Sequence, residues 1–351
     1  MYWAHPIKIY LERYFRLVPS YFFMMIFLSK FLSLLGGQGP RFYQFETSHS
    51  CRETWFWHVF MFNNVFPWAE NDYCIKESWY LADDFWYLTM ALRQAYAFNN
   101  NRKNFNYSFW AGTVFVTVIT TAQICYNNFS ASYLSYQDEY WTVYYDKPYT
   151  FFHCYNLGFT LGCYYFAFKY EQQKHESQVF KFFARIRDNK NDGMLCMAAG
   201  FVLQFLVIAV DKAVNSRPEA MSFAPNLLYL LLVRPTFVVG FILLILPMLV
   251  QAEFTKPLRK FLGHKFWVPF ARLVFGVFLC NSVFIQFTIF NLEQGIWAEK
   301  LDTNLKFLSF LTFSFIFSLF LYLFVEAPFA NLLNEFVRSR LPGSETEFYR
   351  S

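Results

Sequence analysis

Six ionisable side chains stand within or at the edges of long apolar runs: Asp83, Asp84, Arg93, Arg234, Arg272 and Glu326. A charge in hydrocarbon is costly, so such residues turn toward a bundle interior, pair with one another and often mark a ligand path. Their types allow two readings. One is a polar cleft for an anionic ligand, with Arg234 or Arg272 on its phosphates. The other is a set of internal ion pairs that fix helix register. Pro235, directly after Arg234, can interrupt a helix there and free backbone groups that protein or water must line.

Proton transfer near neutral pH calls for a base, usually histidine. The histidines are His5, His49, His58, His153, His175 and His264, and of these His153 alone falls within an apolar run. His58 sits in an aromatic stretch and reads as an interfacial side chain rather than a base. His49 with Cys51, or His153 with Cys154, offers two donors where a metal needs three or four, so no metal site is read. Of the seven cysteines, Cys51 and Cys74 lie in a polar loop and the other five in apolar runs. The loop pair predicts a disulfide, for which chain entropy gives roughly 3 kcal/mol.

The elements that position these groups follow from the charge pattern. Residues 104–137, 148–168, 193–210, 235–252, 273–292 and 307–325 contain no Asp, Glu, Lys or Arg. Each is long enough to cross a bilayer, which takes about 20 apolar residues. With 56% hydrophobic and 16% charged residues in 351, the chain lacks the polar rind of a soluble domain. The expected fold is an all-α polytopic bundle, one domain over 1–351. Its eight spans lie near 17–35, 78–98, 107–126, 149–169, 194–211, 226–250, 268–290 and 305–325. Span 17–35 carries Lys30 near its far end, where it can snorkel. Span 78–98 is the weakest, with three charges. The loop at 40–77 should hold a short aromatic helix against the membrane surface.

Of the 30 Lys and Arg, 17 fall in the N-terminus, alternate loops and C-terminus, and seven in the other loops. That places both termini on the positive side, cytoplasm or matrix. It leaves Cys51 and Cys74 facing an oxidising compartment. The basic residues are scattered rather than gathered in one patch, which argues against nucleic acid.

The run at 39–88 resembles acyltransferase type 3 membrane proteins, closest to the nose-resistant-to-fluoxetine branch. In order it carries Gly39 and Pro40, Cys51, Asn63 and Asn64, Cys74, and Trp79 to Asp84, with Asp83 where the family has Asn. Further matches are RYFRLVP at 13–19, DKPYTFFHCYNLGFTLG at 146–162, Arg234 with Phe237, and FVEAPFANL at 324–332. The resemblance implies about ten spans. The first of them would hold an Arg and a His proposed for the acyl-transfer centre. This sequence is read as shortened before RYFRLVP, which accounts for eight spans. A later family histidine aligns with Asn281, so no catalytic residue is assigned.

The resemblance thus implies a catalytically degenerate relative. It would serve as a structural, lipid-contacting accessory subunit of a larger membrane complex, without a cofactor but with bound phospholipids. Without the histidines, the ion-pair reading of the six charges is favoured over an acyl-CoA cleft. An inner mitochondrial, respiratory setting fits the charge pattern and the disulfide, and endoplasmic reticulum or plasma membrane are alternatives. The competing readings are an active O-acyltransferase using acyl-CoA, its missing spans supplied by another chain, and a transporter.

Overall fold

The computed structural model describes residues 6–32, 48–66, 74–132, 139–170, 177–216, 221–292 and 299–340. Among them the chain is helical, with no strand. The end of the expected first span and the Gly39–Pro40 pair lie outside the described residues.

The chain packs as two compact units, each built from discontinuous stretches. The first comprises residues 1–63, 72–78 and 265–351. It contains α1 (Pro6–Ile26), which continues as a π-helical turn Phe27–Leu32, and α2 (Ser48–Val59). A pair of longer helices follows later in the sequence, α10 (Trp267–Phe290) and α11 (Lys300–Leu321). After a π turn at Tyr322–Glu326 comes α12 (Ala327–Arg340). The second unit comprises 64–71 and 79–264. Its elements are α3 (Trp79–Asn100), α4 (Arg102–Asn127), a π-helical segment Tyr140–Tyr145 and α5 (Pro148–Tyr170). They continue with α6 (Gln178–Asp188), α7 (Lys190–Asn215), α8 (Phe223–Leu249) and short α9 (Lys256–Leu262).

Local chemistry explains the boundaries. Asn101, Ser177 and Asn189 cap α4, α6 and α7, each accepting from the backbone N–H two residues on. A cap of this kind satisfies one of the donors every helix start leaves open. Asn128 ends α4 in the left-handed conformation at φ 52°, which asparagine tolerates better than most residues.

Five helical stretches are long and apolar enough to cross a membrane: Arg102–Asn127, Lys190–Asn215, Phe223–Leu249, Trp267–Ile289 and Lys300–Leu333. They coincide with the expected spans near 107–126, 194–211, 226–250, 268–290 and 305–325. The other three expected spans are also helical, but they do not reach that hydropathy. Arg13 and Arg16 dilute α1, Asp83, Asp84 and Arg93 dilute α3, and the tyrosines, His153 and Asn156 dilute α5. The aromatic loop does hold a helix, α2, and the Cys51–Cys74 disulfide is formed across 23 positions of sequence, with Cα atoms 4.5 Å apart.

Helices α7 and α8 form the closest pair of the second unit and run antiparallel. Gln204 Nε2 donates to the Phe237 carbonyl at 3.1 Å, and Cys196 Sγ to the Leu243 carbonyl at 3.4 Å. Between these rungs a Cβ on Gly200 would lie 2.6 Å from the Leu244 nitrogen. Only glycine lets the backbones approach so closely, as small residues do at membrane helix crossings. Buried apolar clusters flank the pair. Ile124, Phe129, Tyr144, Val214 and Leu230 gather around one end, and Phe168, Phe183, Ile186, Leu246 and Val250 around the other.

Candidate functional site

The sequence-derived polar residues divide between the units. Asp83, Asp84, Arg93 and Arg234 belong to the second, whereas Arg272, Asn281 and Glu326 belong to the first. Asp83 is 1% exposed on α3, Asp84 is half-buried and Arg93 is exposed. Arg272 is exposed on α10, and Glu326 is half-buried in the π turn. Asn281, also on α10 and exposed, accepts from Ser314 Oγ of α11 at 3.4 Å.

Asp83 is fastened from two sides. Asn64 Nδ2 donates to Oδ1 at 2.5 Å and Tyr87 Oη to Oδ2 at 3.3 Å. Tyr87 Oη also lies 2.6 Å from the Pro148 carbonyl, at the start of α5. Lys147, fully buried just before that proline, donates through Nζ to the Asn64 carbonyl at 2.8 Å. Asn64 therefore receives a cation on its backbone and offers its side chain to an anion. Burial pushes the Lys147 ammonium down to about 8, against the upward pull of Asp146 and Asp83. Nearby, Gln94 on α3 donates to Asn156 on α5 at 2.9 Å. The arrangement ties α3, the 64–66 segment and the start of α5 together.

The first unit has its own polar knot. His58, expected as an interfacial side chain, is 1% exposed, a correction whose cause is visible in its partners. The Cys74 N–H donates to Nε2 at 3.1 Å, which makes that nitrogen the acceptor and leaves the proton on Nδ1. Nδ1 lies 2.6 Å from Tyr21 Oη and 3.2 Å from Ser78 Oγ. Ser78 in turn receives Asn63 Nδ2 at 2.9 Å and donates to the Ile75 carbonyl at 2.5 Å. Burial holds the imidazole down to about 3, so it stays neutral. It joins α1, α2 and the disulfide-bearing 74–78 segment.

A cavity of about 380 Å³ opens in the second unit. Its lining is Ala131, Tyr140, Phe151, Cys154, Val207, Asp211, Tyr229, Leu230, Val233, Arg234, Phe237 and Val238. Arg234 is thus the one sequence-derived candidate that reaches it. Its guanidinium carbon lies 4.6 to 5.4 Å from the ring centres of Phe151, Tyr145 and Tyr144, and Nη2 donates to Tyr140 Oη at 3.3 Å. Aromatic faces attract a cation at such distances. Asp211, near the end of α7, takes Tyr229 Oη on Oδ1 at 2.5 Å and Asn215 Nδ2 on the same oxygen at 3.3 Å. Sequence reasoning passed over Asp211, whose signal was an acid ending an uncharged eighteen-residue run at 193–210. It passed over Lys147 for the same reason, as one loop cation among several.

Among the described residues no group of three or more His, Cys, Asp or Glu is placed to hold a metal ion. Comparison with protein-family models, with curated proteins and with solved structures returned no match.

Proposed function

We propose that this chain is a non-catalytic, lipid-contacting membrane protein that serves as a structural accessory subunit of a larger membrane assembly. The observation that carries this reading is how its buried polar groups are used. Asp83, Lys147 and Asn64 hold one another, and His58 is held by Tyr21 and a backbone N–H. An imidazole kept neutral and enclosed in this way fastens chain segments and is poorly suited to collect a proton from a substrate hydroxyl. The resemblance to acyltransferase type 3 proteins, with Asn281 in place of a family histidine, supports the same conclusion from the sequence side.

In this reading α1, α3 and α5 cross the membrane beside the five more apolar stretches, giving eight spans with both termini on the basic face. Phe, Tyr and Trp on the outer helix surfaces, such as Tyr107, Trp110 and Phe115 on α4, meet acyl chains and neighbouring helices. A matrix-facing basic side and a disulfide in the intermembrane space suit the inner mitochondrial membrane. The endoplasmic reticulum and plasma membrane satisfy the same charge rule.

The test is purification from native membranes in mild detergent, followed by an acyl-CoA turnover assay. A stable stoichiometric complex without turnover is expected. Acyl transfer by the isolated chain, abolished by Arg234→Gln or Asp84→Asn, would instead establish an O-acyltransferase. Solute flux in reconstituted vesicles would establish a transporter.

A further inference from the structure

The cavity beside Arg234 combines a cation, an anion and an apolar wall in a fixed order along α8. Tyr229 and Val233 share one face with Phe237, at helical spacings of four, and Leu230, Arg234 and Val238 form the adjoining row. Tyr229, nearest the start of the helix, holds Asp211 of α7. Arg234 lies five residues further on, about 7.5 Å along the axis by helical rise. Phe237 and Val238 come nearly one turn deeper still. Read from the helix end inward, the wall presents a carboxylate, then a guanidinium, then hydrocarbon.

The carboxylate has spare capacity. Among the described residues Asp211 has two neutral donors, Tyr229 and Asn215, and both fall on Oδ1. A negative oxygen at an apolar site is stabilised far more by a charged donor than by neutral ones. The guanidinium is framed by Tyr144, Tyr145 and Phe151 and gives Nη2 to Tyr140, and a guanidinium is the side-chain group whose planar fork matches a phosphate.

We propose that this cavity binds one amphiphile whose head carries both a phosphate and a primary ammonium, a phosphatidylethanolamine-type lipid. The phosphate meets Arg234, the ammonium donates to Asp211, and one acyl chain starts along Phe237 and Val238. A trimethylammonium head has the same charges but no N–H to give Asp211, and a glycerol head has no cation. The volume of about 380 Å³ sits at the small end of ligand pockets, about 300–1,000 Å³, and takes a head group with the first part of a chain. The proposal rests on the lipid-contacting reading above and specifies the lipid.

The test uses the purified full chain in detergent with phosphatidylethanolamine, phosphatidylcholine or phosphatidylglycerol of identical acyl chains, scored by native mass spectrometry and lipid-induced thermal shift. Phosphatidylethanolamine should bind about tenfold more tightly than the other two, the range of one charge-assisted hydrogen bond. Asp211→Asn should erase that preference, bringing phosphatidylethanolamine down to the level of phosphatidylcholine, and Arg234→Gln should weaken all three. Tyr229→Phe, which keeps the carboxylate, should retain the preference and serves if Asp211→Asn does not fold. Equal binding of the three lipids by the wild type, or tighter phosphatidylglycerol, overturns the proposal. Recovery of a stoichiometric, turnover-free complex in the same preparation would then leave the accessory-subunit reading standing.

Discussion

Asp83 shows what a single buried carboxylate does here. Two donors from different parts of the chain converge on it, Asn64 and Tyr87. Removing the acceptor strands the Asn64 amide, whereas Tyr87 Oη keeps the Pro148 carbonyl, and an unsatisfied buried donor costs about 1–3 kcal/mol. Asp83→Leu should therefore lower stability by about 1–3 kcal/mol in a detergent thermal melt, and combining it with Tyr87→Phe should give less than the sum of the single effects. Additive losses would mean that the two side chains do not act together. His58 makes a prediction about pH. Its proton affinity is lowered in the folded state, so the unfolded chain takes up a proton first as pH falls below about 6.5. Stability should drop by about 1.4 kcal/mol per pH unit from there toward about pH 3, and His58→Phe should remove that component of the slope. Lys147 has the same sign in a higher pH range. Its ammonium is disfavoured by burial, so its contribution to stability improves as pH rises from about 8 toward the ordinary lysine value.

The helix pair α7 and α8 sets the geometry of the cavity. Its closest approach is at Gly200, where a Cβ would meet the backbone of Gly240 and Leu244 rather than a yielding side chain. Gly200→Leu should force the helices apart, lower the melting temperature by several degrees and weaken any lipid bound at Arg234. Gly158 on α5 supplies the control, because a Cβ there meets nothing within 4 Å. Gly158→Ala should leave stability unchanged or raise it by about 1 kcal/mol at most. If both glycines tolerate substitution equally, close packing is not what holds α7 on α8.

For the whole molecule, the disulfide and the charge asymmetry make one joint prediction. Cys51→Ser should cost about 3 kcal/mol, and the wild-type bond should survive isolation under non-reducing conditions from the native membrane. Protease protection in sealed vesicles should find both termini and the 170–193 loop on one face, with the 40–77 loop on the other. Tags at the two termini cleaved from opposite sides would require an odd number of spans and would remove the oxidising face assigned to the cysteines.

Much of this was readable before any coordinates. Five apolar stretches announce themselves because a bilayer demands some twenty uncharged residues in a row, a local property that composition alone satisfies. Cys51 and Cys74 could be paired because they were the two thiols outside such stretches. Local composition does not say which polar groups meet, since that depends on contacts between residues far apart in sequence. Asn64 finds Lys147 across 83 positions, and His58 is enclosed by Tyr21 and the Cys74 backbone from distant segments. Arg234 was visible as a charge in hydrocarbon, but its aromatic frame and the partnership of the cavity with Asp211 arise only when α7 and α8 lie antiparallel. The sequence by itself determined the five long apolar helices and the disulfide, because hydropathy and thiol placement are written residue by residue. Tertiary packing decided which charges became fasteners and which line a cavity, because a buried charge takes its role from whatever neighbours the fold brings within hydrogen-bond reach.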